Sequence, residues 1–283
     1  MKGKLVIIGG AEDKGMLSDK EDVDDFLSNG ILKRVVDESS KGTRSRIEIV
    51  PAASGNPDEV AQDYLKAFGR LKARNTGILN ITSRSDAADE KVLERLANCD
   101  TLFITGGNQL QLTHLLGGTP FFEMMKQKMQ KSDFIYAGTS AGAAAVPESM
   151  IIEGNSDNAI LKGAVKTTAG FGLVKNIIFD THFIHRGRIG RLFQIILSNP
   201  EILGVGIEEN TGLLITGDKM EAIGPGMTVL LDGRGIRNSN LLEVREGVPL
   251  SIDNLALHVM SKTDVFNLKT RELKIITPPE CQV

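Results

Sequence analysis

The stretch FIYAGTSAGAAA, residues 134–145, sets one hydroxyl, that of Ser140, between Gly138 and Gly142 in a run of small residues. A strand-like apolar segment precedes it and a small-residue helical segment follows. In that context Gly-x-Ser-x-Gly places a nucleophile on a tight strand-to-helix turn. Such a turn takes up strained backbone angles, and its neighbours must be small so that backbone can approach backbone. The next amide, that of Ala141, then faces the place where an oxyanion would form, and the start of a helix adds partial positive charge there. A glycine-rich turn that only caps a helix, or a phosphate-binding loop, would carry similar residues.

A serine hydroxyl needs a base, and the chain has four histidines. His114 lies in the apolar helical run LQLTHLL and reads as structural; His258 lies in the tail, following a strand. His182 and His185 fall in FDTHFIHRGRIGR, where a strand gives way to a helix, and His182 is nearer the end of the buried run. A histidine base in turn needs an acid that orients it and stabilises its cation. GVGIEEN offers Glu208 and Glu209 at the end of the following strand. Alternation along a strand turns one of them inward without deciding which. The order Ser, His, Glu differs from that of α/β-hydrolases, in which the acid precedes the histidine. Close to these histidines, Arg186, Arg188 and Arg191 sit in RGRIGR. Guanidinium groups suit bidentate recognition of carboxylates, which suggests an anionic part of a substrate; a solvated helix face would look the same.

The elements that must position these residues follow a regular alternation. LVII (5–8), IEIVPA (47–52), ILNI (78–81), TLFITGG (101–107) and FIYAG (134–138) read as buried strands. Between them, 58–75, 88–98 and 121–132 read as helices; Val92, Leu93 and Leu96 share one face, and the methionines of the last serve as core filler. This pattern predicts an α/β chain with a mostly parallel sheet covered by helices on both sides. Ligands gather at the carboxyl ends of such strands, and Gly9-Gly10, Pro51 to Ser54, Gly106 to Gln109 and Gly138 to Gly142 all fall there. Residues 175–183 and 204–210 add two strands with polar ends. From about 212 a β-rich tail packs on the main sheet. No linker, repeat or low-complexity segment divides the 283 residues, so one domain is expected.

Composition narrows the function further. The net charge of −3, with a pI near 5.9, gives no global field toward nucleic acid or anionic lipid. Aromatics are 5% and tryptophan is absent, so no basic–aromatic surface for nucleic acid is expected. Cys99 and Cys281 are too few for a disulfide framework, and no His/Cys/carboxylate spacing suggests a metal. The opening MKGKLVIIGG has a hydrophobic run too short for a signal peptide or membrane span, so a cytoplasmic location is expected.

Taken together, IIGGAEDK (7–14), ITGGNQLQL (104–112), AGTSAGAAA (137–145), DTHFIHRGRIGRL (180–192) and GIEENT (206–211) resemble the cyanophycinase family, serine peptidases related to peptidase E. The matches run in order from residue 7 to about 211, and the tail is similar only loosely. The resemblance implies a three-layer α/β/α sandwich like that of class I glutamine amidotransferases, a homodimer, no cofactor, and hydrolysis of the polymer cyanophycin to β-Asp-Arg dipeptides. It makes Ser140 the nucleophile, His182 the base and Glu209 its partner, with amides near Gly107 and Ala141 as the oxyanion hole. Gln109, Asp180, Thr181, Arg186, Arg188 and Arg191 would contact substrate, Asp180 or a neighbouring carboxylate accepting its arginine side. Thr181 departs from the glutamine of cyanobacterial members, and 151–167, with Asn155 and Ser156, forms a variable loop over the site. Rival expectations are a dipeptidase for α-aspartyl or other β-aspartyl peptides, an anion-binding module without catalysis, and a nucleic-acid protein using RGRIGR.

Overall fold

The computed structural model describes residues 1–16 and 20–277. It begins with β1 (Lys4–Ile8), α1 (Lys20–Asn29), α2 (Ile31–Glu38), β2 (Arg46–Val50), α3 (Pro57–Arg70) and β3 (Asn75–Ile78). Next come α4 (Glu90–Asn98), β4 (Thr101–Ile104), α5 (Gln109–Leu116), α6 (Pro120–Lys131), β5 (Ile135–Thr139) and the four-residue α7 (Ala141–Ala144). The hairpin β6 (Ser149–Glu153) and β7 (Lys166–Ala169) leads to β8 (Ile177–Thr181), α8 (Ile189–Ser198) and β9 (Leu203–Ile207). The tail holds β10 (Gly212–Thr216), β11 (Lys219–Ile223), β12 (Thr228–Asp232), β13 (Asn238–Ser239), β14 (Ile252–Asp253), β15 (Ala256–Met260), β16 (Val265–Asn267) and β17 (Glu272–Lys274).

Nine strands form the main sheet in the order β17-β16-β11-β10-β1-β5-β4-β2-β3. Its half from β1 to β3 is parallel, as the alternation of strands and helices requires. Successive side chains on β1 point to opposite faces, and both faces are covered: Leu5 and Ile7 join one core, Val6 and Ile8 the other. On the second of these, α2 and α3 contribute Leu32, Val35, Val36, Tyr64 and Phe68. The first is covered by α4, α5 and α6, among whose residues Met125 and Met129 are buried.

The tail departs from the expected packing. β10, β11, β16 and β17 do not lie on the main sheet but extend it, antiparallel, from the free side of β1. A two-residue turn at Gly217 and Asp218, with Gly217 at φ 59°, joins β10 to β11, and so short a link permits only antiparallel pairing. With β1 flanked by β5 and β10, no edge beside it remains for β8 and β9. These two pair with each other in parallel and join β12 and β15 in a second sheet, ordered β15-β12-β9-β8. Phe179, Val205, Ile207 and Leu230 of that sheet pack in the same core as Leu5 and Ile7, while α8 covers its other face with Leu192 and Ile196. The helix–sheet–helix layering therefore holds over part of the molecule, and elsewhere a second sheet stands where a helix layer was expected.

Boundaries also shift. The strand expected at 78–81 is β3, three residues earlier, although Leu79 and Ile81 remain buried beyond its end. The helix expected to reach 75 stops at Arg70, followed by Lys72 at φ 60°, a left-handed residue that turns the chain. Cys99 is buried, which pushes its thiol up to about 12; Cys281 lies outside the described residues.

Candidate active site

The carboxyl ends of β1, β4, β5, β8 and β9 converge. Ser140 follows β5 directly, half-buried, with φ 50° and ψ −107°. The small residues around it have a steric reason. A Cβ on Gly138 would lie 2.4 Å from the carbonyl oxygen of Gly142, and one on Gly142 would lie 2.4 Å from that of Ile104. Any side chain at either position would push β5, α7 and β4 apart.

His182 stands one residue beyond β8, at φ 51°, and its Nε2 is 3.0 Å from Ser140 Oγ. Its Nδ1 is 2.5 Å from Glu209 Oε1. This bond holds the Glu209 carboxyl below its ordinary value, outweighing slight burial, so the acid stays ionised beside the ring. Glu208, the other candidate, faces away: its Oε2 accepts from the amides of Ile184 and His185 and so fastens the loop after the histidine. Both acids lie just past β9, and the choice that strand alternation left open is made by their turn.

Of the remaining histidines, His185 is exposed on that loop. His114 is exposed on α5, not buried structure, although its carbonyl accepts from Arg84. His258 lies within β15 and not after a strand, its ring 5.6 Å from that of Phe266.

A hole for an oxyanion needs free amides near the hydroxyl. Gly106 lies against Ser140: a Cβ there would come 3.2 Å from the serine Cβ. Next to it, Gly107 is at φ 139°, where a Cβ would lie 1.9 Å from the carbonyl oxygen of Ala53. The amides of Gly107 and Ala141 donate no hydrogen bond among the described residues.

The polar residues beside the triad divide into two groups. Asp180 is 1% exposed, and Arg191 grips it bidentately through Nε at 2.8 Å and Nη2 at 2.6 Å. Arg188 Nη1 adds a contact at 3.3 Å and also donates to the carbonyl of Thr181 at 2.8 Å. Burial pushes the Asp180 carboxyl up while the two guanidiniums pull it down, and burial likewise lowers Arg188. Asp180, expected together with a neighbouring carboxylate as an acceptor for the arginine side of a substrate, is held in this structure by two arginines of its own chain, and Thr181 is buried beside it. Arg186, by contrast, is exposed, and its guanidinium has no ion pair among the described residues. Gln109, half-buried, donates to the carbonyl of Ile151 at 2.8 Å. The loop between β6 and β7 also reaches this rim: Ser156 Oγ donates to the Arg186 carbonyl at 2.5 Å, while Asn155 caps its own turn. One residue that the sequence reading passed over is Glu12, buried behind the serine; an acid just after a strand-end Gly-Gly was the available signal.

Serine, imidazole and carboxylate in a hydrogen-bonded line can deprotonate the hydroxyl as it attacks a carbonyl. Residues 15–223 of the chain match Peptidase family S51. A protein named cyanophycinase from Synechococcus elongatus is 35% identical over 281 residues, covering 98% of this chain and 84% of that one. Another of that name, from Geminocystis herdmanii (strain PCC 6308), is 33% identical over 273 residues, 96% of each chain. Among solved structures, a peptidase from an acI-B1 Actinobacterium superposes with a TM-score of 0.61 at 20% identity, covering 92% of this chain and 97% of that chain, a likeness of fold.

Proposed function

The chain belongs to peptidase family S51, and from that membership we propose that it is a serine peptidase releasing β-Asp-Arg dipeptides from cyanophycin. The observation that carries the reading is the line Ser140 Oγ–His182 Nε2, 3.0 Å, and His182 Nδ1–Glu209 Oε1, 2.5 Å. Identity to cyanophycinases over nearly the whole chain supports the substrate.

In this mechanism His182 takes the proton of Ser140 as the hydroxyl attacks the scissile carbonyl, and Glu209 stabilises the imidazolium. The amides of Gly107 and Ala141 receive the oxyanion. His182 then returns the proton to the leaving amine, giving an acyl-enzyme on Ser140 that water hydrolyses. Arg186, exposed at the rim and without an ion pair among the described residues, meets a free carboxylate of the aspartyl chain, while Arg188 and Arg191 shape the site through Asp180. Gln109 and Thr181 are further substrate contacts in this reading. The reading extends to one hydrolytic unit, a homodimer in the cytoplasm, and kinship of fold with class I glutamine amidotransferases.

Purified protein incubated with insoluble cyanophycin should release a soluble dipeptide of aspartate and arginine, identified by mass spectrometry, and Ser140→Ala should release none. Equal release by the variant would remove Ser140 as nucleophile. No release by the folded wild type would remove the substrate.

A further inference from the structure

The motif IIGGAEDK supplies a segment, Gly9 to Asp13, for which the proposed reaction has no use, yet it touches every stretch that carries the triad. Ser140 donates its amide to the carbonyl of Ile8 at 3.0 Å, and His182 donates to that of Gly9 at 2.9 Å. Asn210, beside Glu209, donates to the carbonyl of Gly10 at 2.9 Å, and its side chain accepts from the amide of Asp13 at 3.0 Å. The imidazole rests on Gly10, where a Cβ would lie 2.4 Å from His182 Cε1.

Glu12 completes the arrangement. It is 4% exposed and has no ion pair among the described residues. Thr139, immediately before Ser140, donates its hydroxyl to Oε2 at 2.6 Å, and Tyr64 of α3 donates its phenol to Oε1. Burial, together with the Glu12 charge, raises the phenol well above its ordinary value, so it remains a donor. A buried carboxylate held only by hydroxyls gains little stability over an apolar residue of similar volume. Its placement instead ties the turn before Ser140 to the segment on which His182 and Asn210 are seated. Ser140 sits in a sparsely populated backbone region and relaxes unless its surroundings over-determine it.

We propose that Glu12 is a positioning residue: through Thr139 it holds the Ser140 turn in register with the base and the acid. The inference rests on Ser140 being the nucleophile. Its test is the rate at which a fluorophosphonate labels Ser140 in the wild type, Thr139→Val, Thr139→Ser, Glu12→Met and the double variant Glu12→Met/Thr139→Val, with thermal melts of each. Thr139→Val and Glu12→Met, each of which removes the bond between the two side chains, should label about tenfold to a hundredfold more slowly. Thr139→Ser, which keeps the hydroxyl, should label like the wild type. The double variant should be no slower than the worse single, because both remove one interaction. Labelling of folded Thr139→Val within about twofold of wild type overturns the proposal, for a misplacement worth having costs far more. Unfolding of both single variants overturns it too, by assigning the network to stability alone. An unlabelled wild type would instead overturn the nucleophile reading, and this inference with it.

Discussion

Ser140 at φ 50° and ψ −107° occupies a region that costs an L-residue about 1–3 kcal/mol, tolerated only where surroundings enforce it. The enforcement is visible in its amide bond to Ile8 and in the backbone crowding at Gly138 and Gly142. His182 and Asn210 also have positive φ, so each of the three chain segments turns sharply where it meets the others. Two consequences can be measured at this scale. Glu209→Gln leaves the ring without an anion to stabilise its cation, and kcat should fall about 10²- to 10⁴-fold. The pH dependence at this scale follows from the Glu209 carboxyl, which its hydrogen bond to His182 holds below the ordinary carboxylate value: the ionised acid is retained above that lowered value and is lost only as pH falls through it. Any step in kcat/KM that Glu209→Gln abolishes should therefore lie below the ordinary carboxylate range; a step at the ordinary value would mean that the carboxyl is not depressed. The types of these residues were legible in the sequence. That Glu209 rather than Glu208 faces the ring was legible only through the family likeness and not through strand alternation, because a turn beyond the strand end orients both.

Among the elements, β8 and α8 are joined by Asp180 and its two arginines, eight and eleven residues on. The family likeness reads this trio as a set of substrate contacts, since an acid and arginines near a histidine carry no mark of whom they bind. In the structure they bind one another. Asp180→Ala would leave Arg191 buried without its counter-charge, a loss of about 3–5 kcal/mol. Denaturant unfolding should register it as a lower midpoint. A large rise in KM with an unchanged midpoint would instead restore Asp180 as a substrate contact. The helices and strands of the parallel half were readable because each has its own period and length, and they lie within a few residues of expectation. Errors fell at ends, such as β3 and the stop of α3, where a single left-handed residue outweighs the pattern around it.

Over the whole molecule, the tail belongs to both sheets at once. β16 and β17 close the edge of the main sheet, β12 and β15 extend the second, and Leu230, Met260 and Phe266 are buried in the common core. The S51 match ends at residue 223, before all of these. A chain cut after Ile223 should lose its cooperative melt and aggregate on size-exclusion chromatography, because the edges of β9 and β11 and an apolar core would be exposed. Recovery of a folded, active fragment would show the tail to be dispensable. The sequence by itself determined the chemistry-bearing residue types, the strand-to-helix turn around Ser140, the parallel half of the main sheet and the family likeness, all of which rest on local pattern or short spacing. Only the tertiary structure decided how Glu208 and Glu209 turn, which arginine makes no ion pair among the described residues, how the tail strands divide between two sheets, and that Glu12 reaches Thr139. Those outcomes depend on pairings between residues from 8 to over 100 positions apart, fixed by edges left free and space left open once the core has formed.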